Sequence, residues 1–144
     1  MGRIVAFDYG QKRTGIAVTD PLRIIASALI TVETPKLFDF IAEYLSKEKV
    51  DCFVVGFPVQ YNNTVPSHSI PMIEKFIEKL KLSYPNIPVE TEDEHFSSRQ
   101  AMQAMIDGGL KKMQRRDKAM IDKVSASIIL HNYLERNSKS NLKV

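Results

Sequence analysis

The sequence predicts an α/β fold: a mixed five-stranded sheet, its first three strands antiparallel, flanked by helices. Three observations carry this. The first thirty residues hold three apolar runs separated by turns too short for a crossover, so adjacent strands there must run antiparallel. From residue 35 onward, helical periodicity alternates with short strand-like runs. Strands reached through helices return parallel, and that mixture belongs to sheets with helices packed on them.

RIVAFDY, residues 3–9, is the first strand, with Ile4, Ala6 and Asp8 on one face and Val5, Phe7 and Tyr9 on the other. Apolar residues on both faces mark it as interior. Gly10 opens a turn occupied by Lys12 and Arg13, TGIAVTD returns as the second strand, and Pro21 stops it. A third strand is expected over residues 24–30. Residues 35–47 set Leu37, Ile41 and Leu45 at helical spacing with Phe38 and Ala42 beside them, and Pro35 suits a first turn. DCFVVGF, residues 51–57, is nearly all apolar, as in strands covered on both sides. A polar loop follows, then a helix over 69–82 on Ile73, Phe76, Ile77 and Leu80. IPVE, residues 87–90, is the next strand, and residues 97–107 form a helix capped by Ser97 or Ser98. Gly108 and Gly109 end it. The last helix covers 118–134 on Ile121, Val124, Ile128 and Ile129. One domain is expected over 1–138, with a frayed tail over 139–144.

Composition narrows the function classes. The chain has 144 residues, 44 % apolar and 26 % charged, the balance of an ordinary globular domain. Its single cysteine, Cys52, leaves no intrachain disulfide and no cysteine-only zinc site, and fits the cytoplasm. No apolar run approaches a membrane span and no leader pattern opens the chain, so no membrane partner is expected. Net charge is only +3, yet KKMQRRDK, residues 111–118, contributes +4 and leaves the rest at −1. Contact with a polyanion is therefore a local matter for Lys111, Lys112, Arg115, Arg116 and Lys118, the plainer alternative being a solvated surface.

Three acidic positions stand out. Asp8 ends a strand bound for the interior, where a carboxylate must be hydrogen-bonded, protonated or bound to a cation. Capping its own turn is the simpler explanation. ETEDEH, residues 90–95, crowds four acids after a strand, a self-repelling group unless solvated, placed at a helix start or neutralised by a divalent ion. The residues alone leave Glu92, Asp93 and Glu94 open. Asp122 lies early in the last helix with Ser125 and Ala126 about one turn on, small residues that let a helix approach a sheet closely. If these acids meet at the carboxyl ends of the parallel strands, where sites in such sheets sit, their oxygens suit Mg²⁺ or Mn²⁺. His68, His95 and His131 match no metal spacing, and His131 reads as a helix-surface or partly packed residue.

The same residues carry a resemblance. AFDYGQKRTGIAVTD, residues 6–20, is similar to the FDxGxKRxGxA signature of the YqgF family, pre-16S ribosomal RNA nucleases also described as Holliday-junction-resolvase-like, of the ribonuclease H fold. VVGFP, residues 54–58, resembles that family's VGLP segment, with Phe57 in place of leucine. DEHFSS, residues 93–98, stands where the family has DERxT, and IDKVSASIILHNYL resembles its closing helix. The resemblance implies catalytic and metal-binding roles for Asp8, Glu94 and Asp122, and hydrolysis to a 5′-phosphate and a 3′-hydroxyl. Lys12, Arg13, His95 and the five basic residues of 111–118 are then expected to meet nucleic acid. His95 replaces the family's arginine, which is expected either to weaken phosphate contact or to make it pH-dependent around roughly 6.5. The expected substrate is the 5′ end of pre-16S ribosomal RNA, free or in a pre-ribosomal particle, with branched DNA as the alternative, and the protein acts as a monomer or weak homodimer. A non-catalytic ribosome-assembly protein of the same fold is a further alternative. An ATPase of the actin and sugar-kinase type, which also opens on a strand, an acid and a glycine turn, needs two lobes, and this chain has length for one.

Overall fold

The computed structural model describes residues 2–58, 69–93 and 118–142. Strands β1 (Arg3–Asp8), β2 (Arg13–Thr19) and β3 (Ala26–Glu33) come first, then a short 3-10 turn (Thr34–Lys36) leading into α1 (Leu37–Lys47). β4 (Val50–Phe57), α2 (Ser69–Ser83), β5 (Val89–Asp93) and α3 (Lys118–Leu142) follow. The helix expected over 97–107 lies outside the described residues.

The sheet order is β3-β2-β1-β4-β5. β2 runs antiparallel to both β1 and β3, while β4 pairs parallel to β1 and β5 parallel to β4. This is the mixed topology expected from the loop lengths. The pleat of β1 divides the core in two, as its alternation requires. Val5 and Phe7 pack with Phe53 and Val55 of β4, Leu37 and Ile41 of α1, and Ile73, Phe76 and Leu80 of α2. On the opposite face Ile4, Ala6, Ala17, Cys52 and Val54 pack against Ala126, Ile129, Leu130 and Tyr133 of α3.

Several details differ from the sequence expectation. β3 begins two residues later than predicted and runs three further. The Asp20 carboxylate accepts the N–H groups of Leu22, Ile24 and Ile25, at 3.2, 2.8 and 2.8 Å, which fixes those residues in a turn. Arg23 in that turn takes the left-handed conformation, φ 59°. At its far end β3 gains the Arg13–Glu33 pairing. Ala42 is exposed, and Tyr44 packs at the α1 interface instead. In α3 the buried stripe is Ser125, Ala126, Ile129, Leu130 and Tyr133, whereas Ile121, Val124 and Ile128 are only half-buried. The helix turns the small residues Ser125 and Ala126 toward the sheet at its near end and the bulky Ile129, Leu130 and Tyr133 further along. Its backbone stays helical to Leu142, beyond the expected end at 134, since neither Gly nor Pro interrupts that stretch.

Candidate active site

Asp8 is the last residue of β1, and the alternation that aims Ile4 and Ala6 at α3 puts its half-buried side chain on that same face. Across the ladder Asp8 pairs with Gly15 of β2, at an expected Cα separation of about 5 Å. A Cβ built on Gly15 would overlap the main-chain carbonyl of Asp122 in α3. Thus α3 lies directly on the strand beside Asp8. Glycine is the residue that lets two backbones come this close. Ser125 and Ala126, fully buried one turn further on, continue the close approach. Asp8 and the Asp122 backbone therefore lie on one face of the sheet, at the carboxyl end of β1.

Arg13 joins them. It opens β2 two residues before Gly15, and its Nε donates to Asp122 Oδ2 at 3.1 Å. The sequence alone suggests Arg13 for nucleic acid; in the fold its guanidinium holds a carboxylate expected to be catalytic. The turn before it is braced by Thr34, whose N–H donates to the Lys12 carbonyl at 3.0 Å and whose hydroxyl donates to the Gly10 carbonyl at 2.6 Å. Lys12 is exposed at this rim.

The acids of β5 separate by face. Glu90 and Glu92 turn toward α3, where the Tyr133 hydroxyl donates to Glu90 and Arg136 grips Glu92, Nη2 to Oε2, at 2.8 Å. Their pairing raises the Arg136 pKa, chiefly through the Glu92 hydrogen bond. Glu92 is only 9 % exposed, so this pair fastens the strand to the helix. Asp93 falls on the other side of the strand. Glu94 and His95 lie outside the described residues, as do Lys111, Lys112, Arg115 and Arg116; Lys118 begins α3. Sequence reasoning does not single out Tyr133 and Arg136. The signal that could have found them is helical spacing with Ile129, which puts them one and two turns along the same face. His131, in contrast, is exposed and paired with Glu135 at 3.2 Å, as expected of a surface residue.

Among the described residues no group of three His, Cys, Asp or Glu side chains is arranged to hold a metal ion. Two of the three expected ligands are described, and both supply carboxylate oxygens, the donor type that Mg²⁺ and Mn²⁺ prefer. The donor chemistry of Asp8 and Asp122 fits such a cation; Glu94, the third expected ligand, lies outside the described residues.

The mixed five-stranded sheet, antiparallel in its first three strands and with Asp8 ending the first, is a ribonuclease H-like fold. The Holliday junction resolvase RuvX family model matches residues 2–136, and the chain belongs to that family. It is 53 % identical over 135 residues to a relative from Phocaeicola vulgatus named "Putative pre-16S rRNA nuclease", covering 94 % of this chain and 96 % of the relative. A relative of the same name from Christiangramia forsetii is 51 % identical over 134 residues, covering 93 % and 98 %. Among solved structures, Thermus thermophilus RuvC in complex with a Holliday junction substrate matches with a TM-score of 0.56 at 17 % identity, covering 94 % of this chain and 96 % of that one. At that identity the likeness concerns the fold.

Proposed function

We propose that this chain is a divalent-metal-dependent nuclease that hydrolyses phosphodiester bonds at the 5′ end of pre-16S ribosomal RNA. The observation that supports the reading is the seating of the α3 backbone at Asp122 on Gly15, the residue paired with Asp8. The substrate follows the names of the relatives, which cover nearly the whole chain.

Asp8, Asp122 and Glu94 would hold Mg²⁺ or Mn²⁺, which supplies Lewis-acid neutralisation of the phosphodiester's charge. The chain's own contribution is placement. Asp8 is fixed by a strand paired on both sides, and Asp122 by a helix whose backbone rests on Gly15. Arg13 orients the Asp122 carboxylate and brings positive charge to the rim where an anionic strand must approach. Lys12, His95, Lys111, Lys112, Arg115, Arg116 and Lys118 position phosphate without reading bases. We read residues 1–138 as one catalytic domain, acting in the cytoplasm as a monomer or weak homodimer. Among the described residues no helix is long and apolar enough to cross a membrane.

The family's description as a Holliday junction resolvase favours branched DNA as a second reading. One experiment separates the two. A labelled ribosomal precursor and a four-way DNA junction are incubated side by side with the protein in Mg²⁺ and in Mn²⁺. Cleavage of the precursor to 5′-phosphate ends is expected, with a loss of at least about a hundredfold in Asp8→Asn and Asp122→Asn. Cleavage of the junction alone selects the second reading. Full activity in either variant removes that carboxylate from the site.

A further inference from the structure

The strand end that carries Asp8 also carries, one residue on, an aromatic side chain aimed at the opposite face of the sheet. There Tyr9 stacks on Phe76 of α2, ring centroids 4.3 Å apart and planes 16° from parallel. Phe76 is buried and also meets Phe38 of α1 edge to face at 5.8 Å. Between these rings and the polar rim of Gln11 and Thr34 opens a cleft of about 320 Å³, within the roughly 300–1,000 Å³ range of small-ligand sites. Two exposed cations flank it. Lys79 Nζ stands 4.3 Å from the centre of the Phe38 ring, and Lys75 lies one turn earlier on α2. Among the described residues neither is paired with a carboxylate.

Aromatic faces beside unpaired cations in an open cleft are the chemistry that holds a single nucleotide: the base stacks and the phosphate meets ammonium. Nothing in the catalytic reading uses these residues. We infer that this cleft receives one unpaired nucleotide of the bound nucleic-acid strand, its base against Tyr9 and Phe38 and its phosphate on Lys75 and Lys79. The inference rests on the nucleic-acid substrate of the proposed function. Asp8 ends β1 and Tyr9 follows it directly, so a nucleic-acid strand held at the cleft crosses the sheet's rim beside the candidate catalytic carboxylates. The cleft thereby selects substrates with an unpaired segment next to the scissile bond, since a base inside a duplex cannot enter it.

The test measures binding in EDTA, apart from cleavage. A fluorescein-labelled single-stranded RNA and the same sequence as a duplex are titrated against wild type, Phe38→Leu, the Lys75→Gln/Lys79→Gln pair and Lys47→Gln as a remote control. Single-strand affinity is expected to fall about fivefold or more in Phe38→Leu. The lysine pair should lower the salt slope by roughly 0.7 for each phosphate it no longer neutralises. Duplex binding and the Lys47→Gln protein should be unaffected. A 4-thiouridine probe should photocrosslink at Tyr9 or Phe38. Equal losses for duplex and single strand, a matching loss in Lys47→Gln, or crosslinks that avoid both aromatic residues would overturn the cleft assignment. Cleavage that survives such a result leaves the nuclease reading in place, whereas crosslinking at Tyr9 in a wild type that cleaves nothing removes the nuclease reading and keeps the cleft.

Discussion

Cys52 shows how far burial alone sets chemistry at the level of one residue. It lies within β4 under α3, and burial, reinforced by the nearby Glu90 charge, pushes its thiol up to about 11. The thiolate is the reactive form, so native protein should resist iodoacetamide at pH 8, reacting only once unfolded. Because the folded pKa exceeds the unfolded one, the neutral thiol's contribution to stability is complete below pH 9 and is lost as pH rises from there toward 11. Urea denaturation across that window should show the decline, and Cys52→Ala should flatten it. Ser125 presents the opposite case. Its hydroxyl is buried and has no hydrogen-bond partner among the described residues. An unsatisfied buried hydroxyl is costly, so Ser125→Ala should raise unfolding free energy by up to about 1 kcal/mol, read from the urea midpoint. A fall would mean that the hydroxyl has a partner in solution.

The decisive element is α3. Gly15 and Ala17, both within the FDxGxKRxGxA signature, form the floor on which it sits, one without a side chain and the other fully buried. Further along, Tyr133 and Arg136 tie the same helix to β5 through Glu90 and Glu92. A methyl group at position 15 must displace the helix backbone at Asp122. Gly15→Ala should therefore cost about 1–3 kcal/mol in denaturant unfolding. It should also reduce cleavage per folded molecule, because it moves Asp122 away from Asp8. Stability loss with undiminished specific activity would separate the helix seat from the site. Arg13→Gln is gentler: its ion pair with Asp122 is partly exposed, so the stability cost should stay below about 1 kcal/mol.

At the scale of the whole molecule, net positive charge is concentrated in one stretch of sequence, residues 111–118. Neutralising Lys111, Lys112, Arg115 and Arg116 should flatten the salt dependence of nucleic-acid binding by about 0.7–0.9 for each phosphate left without its cation. An unchanged slope would make that segment a solvated surface. One rim of the sheet differs on its two sides: Asp8 lies on the α3 side, while Tyr9 faces the aromatic rings and lysines of α1 and α2. A strand crossing that rim could meet both.

Much of this is legible in the chain as written. Period-two alternation in residues 3–9 assigns Asp8 its face, short turns make the first three strands antiparallel, and intervening helices make β4 and β5 parallel. Those are local consequences of backbone geometry and apolar spacing, which operate before the chain packs. Contacts between distant segments are not legible in the same way. That Arg13 holds Asp122, 109 positions away, depends on the height at which α3 settles over β2. That height is set by a glycine whose role is visible only when the other backbone is in place. The aromatic cleft likewise joins residues from the turn after β1, from α1 and from α2, and no periodicity within any one of them encodes it. Sequence alone determined which side chains the first strand offers to each face; tertiary packing decided which stripe of α3 is buried and which side chains touch, because burial of the sheet, unlike its hydrogen-bonding pattern, is settled by the whole chain at once.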